Sequence, residues 1–305
     1  MEMADIPGVF LPWQDVLHEG PVPEGLALEE LSEVRAKYII DQGWGAREAI
    51  ERAFRERDNT LKSFGDYEKV ILWFEHDLYD QLQMLQILAW FHENRPKKDT
   101  LSIICVDRYL GMLSPDEMAA LYQFQQTVNE SQLALANTAW SAFRASSPEQ
   151  WFALLKTETS ALPFLNGAIV RLLEEYPSCF NGLSRTARQA LEIICQVEKK
   201  PGRVFALCQE SEERRFLGDL SFWKILNECL TSTPPLLAMS TGKEMTLPAN
   251  PDQELSITEE GKEVLSGNRN WLELVQLDRW IGGVHLTSDH IWCWDSGSAS
   301  IAKRT

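Results

Sequence analysis

Three short apolar runs punctuate the first third of the chain: "VFLPW" (9–13), "VILWF" (70–74) and "LSIICV" (101–106). Each gives way to residues whose apolar positions recur at helical spacing. After the first run and a Gly-Pro loop, Leu28, Leu31, Val34, Tyr38 and Ile39 form one stripe, continued beyond Gly43 by Ala49, Ile50 and Phe54. After the second, Leu78, Leu82, Leu85, Leu88, Ala89 and Phe91 form another, and a third helical segment is expected over 114–124. β-rich runs of this length alternating with segments of period 3.6 predict βαβ units and a small parallel sheet.

From about residue 125 to 176 the pattern is helical throughout. Trp140, Phe143, Trp151, Leu154 and Leu155 supply its apolar positions, and Pro148 and Pro163 stand near expected helix starts. Beyond 181 the grammar changes. "GLSRTARQALEIICQ", with Ser184 as N-cap, "GRVFALCQ" and "LGDLSFWKILNECL" read as three helices. "PPLLAMS" and "QELSITEEGKEVLSG" read as two strands around a polar hairpin of 240–253, and "DRWIGGVHLTSDHIWCWD" reads as a last β-hairpin turning near Thr287–Asp289. The predicted organisation is an α/β N-terminal domain (1–125), a helical connector (126–180), and a mainly helical C-terminal region (181–305) with a winged-helix-like module and a terminal β-hairpin.

Charge changes the picture of partners. The net charge is −16; residues 1–125 carry 23 acidic and 12 basic side chains (−11), and the remainder 22 and 17 (−5). So acidic a surface repels phosphate backbones and anionic membranes, which argues against nucleic acid as the main partner. In the third helix of the C-terminal region, Lys224 and Asn227 are outnumbered by Phe222, Trp223, Ile225, Leu226 and Leu230. That helix reads as core and protein contact rather than as a reader of bases. A homo-oligomer or protein partner is the better fit for this module.

The six cysteines are scattered without a C-x-x-C pair, the pattern of free thiols in a reducing cytoplasm. The N-terminus shows no basic-then-apolar signal pattern, and no apolar run approaches a membrane span.

The candidate chemistry lies where the runs end. In open parallel sheets ligands bind beyond the carboxyl ends of the strands. The first run is followed by Trp13, Asp15, His18 and Glu19, the second by Glu75, His76 and Asp77, the third by Asp107 and Arg108. Adjacent parallel strands would gather Asp15, His18, Glu75, His76, Asp77 and Asp107 around one pocket. Carboxylates with imidazoles suit Mg²⁺, Mn²⁺ or Zn²⁺ and metal-assisted hydrolysis of a phosphate-type substrate; without metal, such pairs perform general acid–base catalysis. Plainer roles compete. Asp77 is placed to cap the helix from Leu78, with Asp80 complementing its dipole, and Asp107–Arg108 can be an ordinary turn. "GGVHL" (282–286) reads as a structural turn, with His285 and His290 flanking the hairpin.

Five segments resemble, in order, a bacterial family known as domain of unknown function number eighteen-thirty-five. They are "LPWQDVLHEGPVP" (11–23), "WFEHDLYDQLQML" (73–85), "LPFLNGAIVRLLEEYPS" (162–178), "NGLSRTARQALE" (181–192) and "DRWIGGVHL…WCWD" (278–295), of which W-x-D-x-L-x-x-G-P-x-P is the most specific. The resemblance implies an α/β N-terminal domain and a helical C-terminal part, and assigns no reaction. Members of that family begin with a further strand running into a Gly-Asp-Ser turn ahead of the position of Trp13, which the sequence from Met1 lacks; the expectation is a thinner, less stable sheet. Two functional expectations stand side by side. One is a small-ligand-binding or metal-assisted hydrolase-like protein, with an unknown cofactor that a divalent metal would satisfy. The alternative is a non-enzymatic regulatory or interaction protein using the winged-helix-like module.

Overall fold

The run "VFLPW" is not a strand. The structure is a computed structural model that describes residues 4–242, 244–246 and 250–304, and in it residues 9–13 are irregular, with Val9 71% exposed. The physical reason is Pro12, which has no amide to give a ladder and fixes its own φ. The first β structure is instead a two-residue strand, β1 (Gly20–Pro21), ahead of helices α1 (Leu28–Asp41) and α2 (Arg47–Lys62).

The other two runs form strands as expected. β2 (Val70–Phe74) leads into α3 (Leu78–Glu93), and β3 (Leu101–Cys105) leads into α4 (Pro115–Tyr122). β2 and β3 pair in parallel, Val70 opposite Leu101 and Phe74 opposite Cys105. The third member of this sheet is β4 (Gln126–Thr127), which runs antiparallel to β3 with Ser102 opposite Thr127. The sheet is therefore mixed, and its parallel part is a single pair.

Helix α3 is the centre of this region. Leu82, Leu85, Leu88 and Phe91 are wholly buried, and so are residues on its other faces, among them Met84, Ile87 and Ala89. A helix apolar on every side must be covered on every side. It packs on β2 and along α5 (Glu130–Arg144), whose Leu133, Ala136, Ala139, Trp140 and Phe143 are buried. Each large side chain so buried contributes about 1.5–3 kcal/mol. α6 (Glu149–Ala153) and α7 (Leu165–Leu173) follow.

Beyond α7 come α8 (Arg185–Gln196), capped by the Ser184 hydroxyl, α9 (Pro201–Glu210) and α10 (Asp219–Thr231). Strands β5 (Leu237–Met239) and β6 (Leu255–Ile257) pair antiparallel. The segment 253–267, expected as one strand, keeps extended structure only at β6; Thr258 then accepts the Gly261 amide at 3.0 Å and starts α11 (Glu259–Leu265). A Thr cap followed by two glutamates outweighs the β pattern before it. The expected polar hairpin of 240–253 lies partly outside the described residues.

β7 (Asp278–Gly282), β8 (Val284–Thr287), β9 (Ile291–Asp295) and β10 (Ser300–Arg304) end the chain. A tight turn does close at Thr287–His290, but the terminal hairpin pairs β9 with β10, Asp295 opposite Ser300 and Ile291 opposite Arg304.

Two compact units result. One comprises the residues up to Ile169 with Trp280–Val284, and the other Val170–Arg279 with the residues from His285. The stretch 126–180, expected as helical throughout, opens with the strand β4 and divides between the two units. In the first unit the returning segment pairs in parallel with β1, Gly20 opposite Ile281, and its two glycines lie against the end of α5. Gly283 donates its amide to the Phe143 carbonyl at 3.0 Å, and a Cβ on it would stand 1.7 Å from the Arg144 carbonyl oxygen. "GGV" is thus a close backbone approach. Gly283→Ala is expected to cost more than about 2 kcal/mol, since a backbone atom rather than a flexible side chain must yield; urea denaturation against the parent chain measures it.

Candidate functional site

Phe74 closes β2 in the apolar interior, and three residues later the chain begins a buried helix. A helix start leaves four amides without partners, and inside a protein those must be met by side chains. Asp77, 4% exposed, answers first: its Oδ1 accepts the Tyr79 amide at 2.9 Å and the Asp80 amide at 3.3 Å. Asp80 turns back, its Oδ2 accepting the Glu75 amide at 2.5 Å. The Glu75 Oε1 in turn accepts the Leu110 amide at 2.7 Å, from the turn after β3. The ends of the two parallel strands do meet here, through a backbone amide of the third loop.

The result is three carboxylates with oxygens all within 4.8 Å of one another. Their electrostatics are dominated by burial. Among the described residues no Lys or Arg pairs with any of them. Burial first, then Asp80, then Glu75, push the Asp77 carboxyl up to about 7. Burial likewise raises Glu75 against the lowering effect of the Leu110 amide, and raises Asp80 against that of the Glu75 amide. An Mg²⁺ or Ca²⁺ ion holds oxygens at about 2.1–2.5 Å, so its ligand atoms stand about 3–5 Å apart. The cluster has that spacing.

The other residues expected in the pocket are placed differently. Asp15 forms a wholly buried ion pair with Arg35, whose Nε lies 3.0 Å and Nη2 2.8 Å from Asp15 Oδ1. The rest of the guanidinium donates to the carbonyls of Val16, Glu19 and Pro21, so every N–H is used. Asp15 is thus saturated within the loop, and its role is to organise residues 15–21. His18 is buried with Nε2 3.8 Å from Glu19 Oε1 and its ring 6.1 Å from that of Tyr79, while Glu19 Oε2 accepts the Tyr38 hydroxyl at 3.0 Å. His76 is buried between the rings of Tyr109 (5.0 Å) and Phe164 (5.9 Å), outside the carboxylate set. Asp107 is exposed, and its loop reaches the cluster through Leu110 instead.

The segment 13–15 reaches the first turns of α3 without being a strand. Gln83 Nε2 donates to the Asp15 carbonyl and the Trp13 indole to Gln86 Oε1, both at 2.9 Å. The Arg57 guanidinium lies 4.1 Å over the Trp13 ring, a cation–π contact that covers it from α2. Gln81 similarly donates to the Glu75 carbonyl at 2.7 Å. Asp80 and Leu110 join the cluster without being expected there, and Arg35 is the unexpected partner of Asp15. Asp80 carried a signal, three positions after Asp77 on one helical turn; Arg35 and Leu110 act through long-range contacts with no local pattern.

No family model, curated protein or solved structure matches this chain. For the loop, Arg35→Met, which strands the Asp15 charge in the interior, is expected to lower stability by about 3–5 kcal/mol. Asp107→Ala, on the exposed turn, is expected to stay within about 0.5 kcal/mol of the parent. Equilibrium urea unfolding of both distinguishes them.

Proposed function

We propose that the protein binds a divalent cation through Glu75, Asp77 and Asp80 at the carboxyl end of β2, and that this centre holds a small phosphate-type ligand for metal-assisted hydrolysis. The observation that supports it is the convergence of three carboxylates from a strand end and the first turn of a buried helix, none of which pairs with a Lys or Arg among the described residues. An all-oxygen ligand set favours Mg²⁺ or Mn²⁺ over Zn²⁺. A bound ion would polarise a phosphoryl oxygen there. Leu110 orients Glu75, the capping bonds orient Asp77, and Gln81 holds the turn between them. His76, adjacent in sequence and packed against Tyr109 and Phe164, is the proposed group for moving a proton. Kinship with the bacterial family belongs to this proposal, and adds an α/β unit but no reaction.

The raised carboxyls have a definite sign. A carboxyl whose folded pKa lies above its unfolded value near 4 makes the native state bind more protons, so stability falls as pH rises from about 4 through about 7. A cation replaces those protons. In chelator the thermal midpoint is expected to fall over that interval, and Mg²⁺ or Mn²⁺ to restore it more at pH 8 than at pH 5. Asp77→Asn keeps a capping oxygen and loses the charge; it is expected to flatten the pH dependence and abolish the cation effect. If neither ion moves the midpoint of the parent protein at pH 8, the carboxylates are a helix start alone and the interaction-protein reading takes over.

We also propose that α8, α9, α10 and the β5–β6 pair make a winged-helix-like module used for assembly. In α10, Phe222, Trp223, Ile225 and Leu226 are buried, and the Asn227 side-chain oxygen accepts the Met245 amide at 2.6 Å. The polar groups a reading helix needs are thereby engaged or sparse. Among the described residues no helix is long and apolar enough to cross a membrane. The chain is expected not to retain duplex DNA at low salt; submicromolar binding with a steep salt dependence in a fluorescence-anisotropy titration would overturn this.

A further inference from the structure

The cysteines look scattered along the chain, yet two of them meet in the second unit. Cys179 is exposed in the loop ahead of α8, and Cys293 is buried at the centre of β9. The loop makes a short parallel bridge to β9: Trp294 donates its amide to the Pro177 carbonyl at 2.8 Å, and Cys179 donates its amide to the Trp294 carbonyl at 2.9 Å. Ser178 and Trp294 are the bridged pair, so alternation puts Cys179 and Cys293 on the opposite, shared side of the two segments. There the two thiols lie near one another, and each acts on the proton affinity of the other.

We propose that Cys179 and Cys293 are a redox-modifiable dithiol, in which exposed Cys179 reacts with a low-molecular-weight disulfide and Cys293 resolves the product into an intramolecular bond. In the first step the Cys179 thiolate attacks one sulfur of the small disulfide, forming a mixed disulfide and expelling one thiolate. In the second, the Cys293 thiolate attacks the Cys179 sulfur and expels the other. The two cysteines lose two electrons and two protons, and one small disulfide becomes two thiols. Exposure decides the order, because the buried sulfur cannot be reached first. Burial pushes both thiols up, with Asp295 adding to the effect at Cys179, so thiolate is scarce at neutral pH and the exchange is slow in a reducing milieu. The bond would tie the loop before α8 to the terminal hairpin and close a long loop in the unfolded chain, which stabilises the fold.

The test uses the full chain, incubated with excess oxidised glutathione at mildly alkaline pH, quenched in acid, alkylated and mapped without reduction. The expected result is a peptide pair joined at Cys179 and Cys293, a higher thermal midpoint, and reversal of both by dithiothreitol. In Cys293→Ser the glutathione adduct on Cys179 is expected to persist; in Cys179→Ser, Cys293 is expected to remain unmodified. Persistent glutathione on Cys179 of the parent chain, with Cys293 still alkylated after unfolding, would overturn the proposal. So would a bond from Cys179 to another cysteine or to a second chain, or no reaction at Cys179. The parent chain decides these outcomes even if a serine variant folds poorly.

Discussion

Helix α3 is buried through its middle from Gln81 to Ala89, and the first unit is arranged around the need to begin such a helix away from water. Its apolar residues face β2, α5 and the loops that cover it, so burial settles its position. Burial also removes solvent from its polar groups. The first amides must then find acceptors in the protein; Asp77 takes those of Tyr79 and Asp80, and Asp80 takes that of Glu75 just ahead of the helix. The same constraint explains three glutamines on an otherwise apolar helix. Gln81, Gln83 and Gln86 each meet a polar group of the strand ends or the N-terminal loop, which would be stranded against a wholly apolar neighbour.

Asp15 and the β2 cluster are two groups of buried or part-buried acids, and they solve the charge problem differently. Asp15 has Arg35 in bidentate contact, and the remaining guanidinium donors hold the loop carbonyls, so that loop is complete in itself. The β2 cluster is met by backbone amides and the positive end of α3, and among the described residues by no Lys or Arg. Those donors offset part of the cost of three close carboxylates, and the raised pKa of Asp77 measures what is left. An acid that must shed its proton near neutrality, in a group spaced for metal–oxygen bonds, is the feature on which the proposed function turns.

The second unit spends its charges in structure. Arg171 is held by Glu175 at 2.7 Å and by both Glu212 oxygens, donates to the Thr186 hydroxyl, and lies 4.7 Å over the Phe216 ring. A buried guanidinium satisfied in this way fixes the approach of α7 to α8. The unit's reactive potential lies instead where the loop before α8 touches the terminal hairpin, and there it depends on two sulfurs more than a hundred positions apart in the chain.

Local patterns in the sequence determined the elements whose reasons are local. The runs at 70–74 and 101–105 are strands, α3 spans its apolar stripe, and Asp77 and Ser184 cap the helices they precede. The gathering of Glu75 and Asp77 near the third loop was legible too, because a βαβ unit places strand ends together. Where local signals compete, the stronger wins: Pro12 removed the strand at 9–13, and Thr258 turned a predicted strand into α11. Tertiary structure alone decided the rest. Arg35 paired with Asp15, Leu110 bonded Glu75 from the third loop, β4 entered the sheet antiparallel, and the loop of Cys179 came to bridge the strand of Cys293. Each of these joins residues distant in sequence, and the energy of a buried ion pair or backbone hydrogen bond depends on where the packed chain leaves its partners, which no periodicity in the sequence records.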